Sequence, residues 1–152
     1  MLKLPFLRAT LLALLSITFY PATAGSTKHT EKFGNFIVHY NTLPSDFLSA
    51  RTAKRLGIRR GRDRILVNIT VKQKTNSKEI PVAAKVNVRA HNRTGQLKYT
   101  KMLPVQEGKG IYYIGEFRVA NREHLFFTVT VTPKAKQAAT HTFKFDKEYR
   151  TR

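Results

Sequence analysis

The sequence predicts an all-β chain, an antiparallel sandwich of about seven strands with one short helical insert after the first strand. Three observations carry this. Ile65, Val67, Ile69 and Val71 repeat with a period of two, and Leu66, Asn68, Thr70 and Lys72 take the opposite face. Val82, Ala84, Val86, Val88 and Ala90 do the same against Lys85, Asn87, Arg89 and His91. Turn signals interrupt the alternation at hairpin spacing, and a helical period of 3.6 is nowhere sustained.

Taken in order, the elements have local reasons. Residues 25–31 are expected to fray as an amino terminus. Residues 36–40 alternate as a first strand after Gly34 and Asn35. Ser49 is suited to cap a short helix over residues 50–56, with Gly57 as its left-handed stop. Ala53 and Leu56 then fall one turn apart and face the sheet. The strands at 65–71 and 82–90 follow. Asn92, Arg93, Thr94 and Gly95 form a hairpin turn into a strand at 96–103. A second turn, Glu107 to Gly110, leads into a strand at 111–119. Leu125, Phe127, Val129 and Val131 line the next strand, which Pro133 stops. Phe143, Phe145 and Tyr149 mark the last.

Ahead of these elements lies a leader. Lys3 and Arg8 make a basic start, residues 9–20 are apolar, and Ala22, Thr23 and Ala24 supply a small-residue cleavage site. The apolar core is about 12 residues long, short of the roughly 20 a spanning helix needs. Cleavage is expected between Ala24 and Gly25, leaving residues 25–152 as a single domain. The 152-residue chain has no cysteine, which excludes disulfides, a thiol nucleophile, thiolate-held metal and a lipid-modified cysteine. Its 28 Lys and Arg outnumber 9 Asp and Glu, giving a formal net charge of +19. Losing Lys3 and Arg8 with the leader barely alters that excess. A chain so basic attracts polyanions, although charge also serves solubility alone.

Several phrases occur in a fixed order: Phe33-Gly-Asn-Phe-Ile-Val-His-Tyr-Asn41, Leu56-Gly-Ile58, Arg64-Ile-Leu-Val-Asn-Ile-Thr-Val71, Thr94-Gly-Gln-Leu97, Ile111-Tyr-Tyr-Ile114 and Phe117-Arg-Val-Ala-Asn121. Together, over about residues 31–149, they resemble the family called domain of unknown function 4426. The resemblance implies an immunoglobulin-like sandwich and a small exported protein of Gram-negative bacteria, hence a periplasmic location. It brings no activity, cofactor or site residue with it.

The densest local feature is the run from 51 to 64. Arg51, Lys54, Arg55, Arg59, Arg60, Arg62 and Arg64 lie there with Asp63 as the one acid. Guanidinium forks suit bidentate capture of phosphate or carboxylate, so these seven are the candidate anion-binding residues. On the helix, Arg51 faces Lys54 and Arg55, and each like-charged pair costs about 0.2–0.5 kcal/mol. Phe126, Tyr112 and Tyr149 are aromatic candidates for stacking, but alternation in a sandwich assigns most such rings to the core. Histidines 29, 39, 91, 124 and 141 lack metal-site spacing, the acids are dispersed, and no nucleophile-elbow or phosphate-loop motif occurs. Asn68-Ile-Thr and Asn92-Arg-Thr match glycosylation acceptors, which matter only in a eukaryotic secretory path.

No catalytic residue, metal ligand or cofactor is therefore assigned. The sequence reads as a non-enzymatic periplasmic binding or scaffolding module whose partner is an envelope protein or an anionic polymer. An electrostatic binder of nucleic acid or acidic glycan is the alternative, and an envelope hydrolase a more distant one.

Overall fold

The computed structural model describes residues 29–151. The expected leader and its cleavage site lie outside them. Ten strands and one α-helix form an antiparallel two-sheet sandwich. The strands are β1 (His29–Phe33), β2 (Phe36–Pro44), β3 (Arg64–Thr75), β4 (Lys78–Pro81) and β5 (Ala84–Asn92). They continue as β6 (Leu97–Tyr99), β7 (Leu103–Glu107), β8 (Gly110–Arg118), β9 (Glu123–Pro133) and β10 (His141–Tyr149). One sheet runs β1-β2-β3-β8-β7 with β4 also paired to β3, and the other runs β10-β9-β5-β6.

Period-two patterning sets what lies between the sheets. Val38, Ile65, Val67, Ile69, Val71, Tyr113 and Phe117 meet Ala84, Val88, Ala90, Leu125, Phe127, Val129, Val131, Phe143 and Tyr149 in one buried cluster. Phe117 and Phe127 meet edge to face, with ring centres 5.5 Å apart. Phe127 also stacks on Phe145 at 4.6 Å. Tyr113 brings a hydroxyl into this apolar layer, and it accepts the Ala84 N–H at 2.7 Å. That bond satisfies a group whose burial would otherwise be costly.

The strand expectations hold in register and differ in three places. His29–Phe33 is ordered as β1, paired with β2, although 29–31 were expected to fray. Its Thr, Glu and Lys suit an outermost strand that is never fully covered. Residues 96–103 divide into β6 in one sheet and β7 in the other, because the chain crosses the sandwich between Tyr99 and Leu103. The short edge strand β4 turns back on β3 through Asn76, which takes a left-handed φ of 45°.

The helical insert sits between β2 and β3. It consists of a 3-10 turn at Ser45–Phe47 and helix α1 at Ala50–Leu56. The Ser49 side chain caps α1 by accepting the Thr52 N–H at 3.1 Å. Gly57, at φ 65°, ends it, and the Ile58 N–H donates back to the Ala53 carbonyl at 2.9 Å. Only glycine adopts that backbone without strain, and the reversal buries Ile58 as well as Ala53. Both cap expectations are met. Thr52, Arg55 and Leu56 share a cavity with Asn68, Tyr112 and Ile114, so α1 lies over the outer face of β3 and β8. Leu66, on that outer face, is accordingly buried.

Candidate functional site

The basic run begins on α1. Ala53 is the buried anchor of the helix, and Arg51, Lys54 and Arg55 are exposed. Beyond Ile58 the chain forms a loop whose backbone is tied down on its inner side. Ser45, fully buried, donates through Oγ to the Gly61 carbonyl at 3.1 Å and accepts the Gly61 N–H at 3.0 Å. The Arg59 N–H donates to Glu116 Oε2 at 2.9 Å, and the Val119 N–H donates to the Asp63 carbonyl at 2.8 Å. Arg60 donates through Nη2 to the Asp46 carbonyl at 3.0 Å, fastening the loop to the 3-10 turn.

The seven candidate bases fall into two groups. Arg64 starts β3, and its guanidinium is paired with Glu116 on β8; both side chains are largely buried. It is therefore a structural ion pair rather than part of an exposed loop. Glu116 is the acid partner that the segment itself does not supply. It arrives because its backbone pairs with Leu66, two residues beyond Arg64. Arg59 stands 3.8 Å from the same carboxylate but is 76% exposed. Asp63, the lone acid of the run, accepts from Arg118 Nε at 3.0 Å. The side chains of Arg51, Lys54, Arg55 and Arg62 make no hydrogen bond or ion pair among the described residues.

Two further features adjoin the loop. Phe47, in the 3-10 turn, is 79% exposed, the most exposed of the large apolar side chains described. With Arg62 and Arg150 it lines an open cavity of about 530 Å³ floored by Ile65, Val119 and Tyr149. Sequence reasoning passed over both Phe47 and Arg150. The available signal was a phenylalanine between the strand end at Pro44 and the cap at Ser49, with serines rather than apolar side chains two residues away on either side.

A larger cavity of about 680 Å³ lies around Asp63, Lys98, Glu116, Arg118 and Glu123. Its polar groups are engaged with one another. Glu123 accepts from Lys98 Nζ at 2.7 Å, the Ala120 N–H at 2.8 Å and Asn92 Nδ2 at 3.1 Å. Burial alone would raise the Glu123 pKa, but these hydrogen bonds and the Lys98 charge outweigh it and lower the pKa. The group is thus held as a carboxylate that locks β6 to β9.

The aromatic candidates separate. Tyr149 is in the core, and burial pushes its hydroxyl up to about 12 against a smaller opposing pull from Thr42. Tyr112 is half-buried beneath α1. Phe126 points out of the second sheet, with His91 stacked on it at 5.2 Å and His124 tilted against it at 4.7 Å. His124 Nε2 lies 2.6 Å from Asp146, His141 3.1 Å from Glu31 and His39 3.6 Å from Glu79. Among the described residues no three His, Asp or Glu side chains converge as a metal site, and no helix is long and apolar enough to cross a membrane.

Comparison with known proteins places the chain. No functionally curated protein matches it. A copper-bound variant of FetP from uropathogenic Escherichia coli has a similar fold, at 10% identity and a TM-score of 0.51, covering 80% of this chain and 88% of that one. At that identity the likeness extends to the fold alone. The crystal structure of a DUF4426 family protein from Pseudomonas aeruginosa PAO1 is similar at 31% identity and a TM-score of 0.71, covering 82% of this chain and 95% of that one. The family model described as Domain of unknown function (DUF4426) matches residues 30–150. With sequence, fold and nearly every described element in agreement, the chain belongs to the DUF4426 family.

Proposed function

We propose that this protein is an exported, non-enzymatic binding module of the bacterial cell envelope that engages an anionic partner through the outer surface of α1 and the loop after it. One observation carries the reading: the run's own acid and the acid on its inner side are spent on other groups, and the carboxylates of the nearby Asp46 and Glu107 pair with none of its bases. Glu116 holds Arg64 and the Arg59 backbone, and Asp63 holds Arg118. Arg51, Lys54, Arg55 and Arg62 are left exposed, without acid partners among the described residues. Crowding unpaired like charges on a short helix costs stability, and a phosphate- or carboxylate-bearing partner offsets that cost.

The apolar leader supports an exported, periplasmic setting. The alternative reading, a purely electrostatic binder of nucleic acid or acidic glycan, differs in its response to salt. Binding to polyphosphate and to an acidic polysaccharide, titrated against log salt, tests both. A contact using four bases on a flexible polyanion loses affinity with a slope of about −3 in log K against log salt. Changing Arg51, Lys54, Arg55 and Arg62 together to Gln removes most of that slope if the surface is the site. A variant with unchanged affinity and slope rejects the assignment.

A further inference from the structure

We propose that the anionic partner is a membrane surface: the 3-10 turn and the basic loop form a peripheral docking patch for a bilayer rich in anionic phospholipid. This rests on the anion-binding reading above and adds to it what Phe47 is for.

Phe47 projects into solvent from a turn that is fixed in place. Buried Ser45 makes two hydrogen bonds to the Gly61 backbone, and Arg60 holds the Asp46 carbonyl. The ring and the basic loop therefore form one rigid unit, and little conformational entropy remains to be lost on binding. Arg62 and Arg150 line the cavity beside the ring, with Ile65, Val119 and Tyr149 as its floor, and Arg60 is bonded to the residue next to Phe47. Two acids oppose part of that charge: Asp46, exposed on the same turn, and Glu148, which accepts from Arg150 Nε at 3.3 Å.

A soluble polyanion rewards the guanidinium groups but gives Phe47 and the apolar floor nothing to bury against. A bilayer surface rewards both: phosphates sit at the level of the arginines, and the ring reaches the acyl boundary below them. Stable attachment takes two such signals, and the patch carries both. Each base near an anionic surface strengthens binding about fivefold, and burial of the ring adds roughly tenfold.

The experiment uses the chain beginning at Gly25, which contains every described element, so that the apolar leader does not bind vesicles itself. Because the chain has no tryptophan, Phe47→Trp places a sole reporter in the patch. Its emission is expected to shift to the blue on vesicles containing phosphatidylglycerol and to stay unchanged on pure phosphatidylcholine. In flotation, Phe47→Ser is expected to lose about tenfold in vesicle affinity while keeping its affinity for soluble polyphosphate. The triple variant Arg60→Gln, Arg62→Gln, Arg150→Gln is expected to lose about a hundredfold on vesicles. Changing Lys85, Arg89 and Lys144 to Gln removes equal charge from the outer face of the other sheet and is expected to leave vesicle affinity intact.

Polyphosphate binding with no emission shift on anionic vesicles, or with Phe47→Ser floating like the parent, overturns the membrane assignment and leaves the anion-binding reading standing. Equal losses in both triple variants overturn the patch in favour of net charge. Failure to bind either probe overturns both readings.

Discussion

Replacing Arg64 with Gln tests the division of the basic run into structural and exposed members. The Arg64 and Glu116 side chains are 15% and 18% exposed, between a surface pair and a buried one. Exposed pairs contribute about 0–1 kcal/mol, whereas breaking a buried pair from one side costs about 3–5 kcal/mol. Glu116 would keep the Arg59 N–H, and the Arg59 guanidinium stands 3.8 Å away, so its charge is not fully abandoned. The expected loss is about 2 kcal/mol, which lowers the melting temperature of a domain this size by about 5–10 °C. Thermal unfolding followed by circular dichroism reads this directly. Adding Glu116→Gln to Arg64→Gln removes the stranded charge while an amide oxygen still accepts the Arg59 N–H, and about half the loss should return. The quadruple change of Arg51, Lys54, Arg55 and Arg62 to Gln should leave the melting temperature level or slightly raised. It breaks no described bond and relieves the repulsion of Arg51 with Lys54 and Arg55, worth about 0.2–0.5 kcal/mol per pair. An unchanged melting temperature for Arg64→Gln, or a fall of several degrees for the quadruple variant, refutes the division.

Two other outcomes are expected. Val67 is 0% exposed at the centre of β3, so Val67→Asp forfeits about 1.5–3 kcal/mol of burial and adds an unpaired carboxyl. Against a total stability of about 5–15 kcal/mol that should abolish the cooperative melting transition, and a parental melt would mean the β3 register is one residue out. Tyr149 has its folded pKa raised to about 12, so its contribution is fully present below the unfolded value near 10 and is lost as pH rises towards 12. Denaturant titrations at pH 8 and pH 12 should show Tyr149→Phe losing about 2–3 kcal/mol less than the parent across that range, and equal losses would contradict the buried hydroxyl.

The fold was legible where one residue in two is buried, as in β3, β5 and β9, because alternation there is the direct imprint of the core. It was illegible where tertiary geometry decides. Nothing between Tyr99 and Leu103 signals a crossing from one sheet to the other, since both halves read as plausible strand. β1 and β4 are polar strands at the margins, and their pairing partners define them more than their composition does. The site shows the same limit. The density of bases at 51–64 was visible in the chain. The commitment of Arg64 was not, because Glu116 lies 52 residues away and reaches it only through the β3–β8 ladder. Phe126 was legible by the same rule as the strands: the alternation of Leu125, Phe127, Val129 and Val131 leaves it on the outward phase, where the structure has it.

The charge balance itself argues that the patch is more than a device for solubility. Of the nine acids, Asp63, Glu79, Glu116, Glu123 and Glu148 pair with Lys or Arg, Glu31 and Asp146 each meet a histidine, and Asp46 and Glu107 stand in no ion pair. Most acids thus serve the fold, and the bases they leave over among the described residues lie at the surface. A surplus needed only for solubility is best spread out, as Lys85, Arg89, Lys109, Lys134 and Lys144 are spread over strands and turns. Residues 51–62 depart from that pattern: like charges share one face of a seven-residue helix at a cost to its stability. The adjoining 3-10 turn then presents an apolar ring to water from a position held by a fully buried serine. Each feature alone opposes stability or solubility. An anionic surface with an apolar layer beneath it is a partner that turns both costs into binding energy.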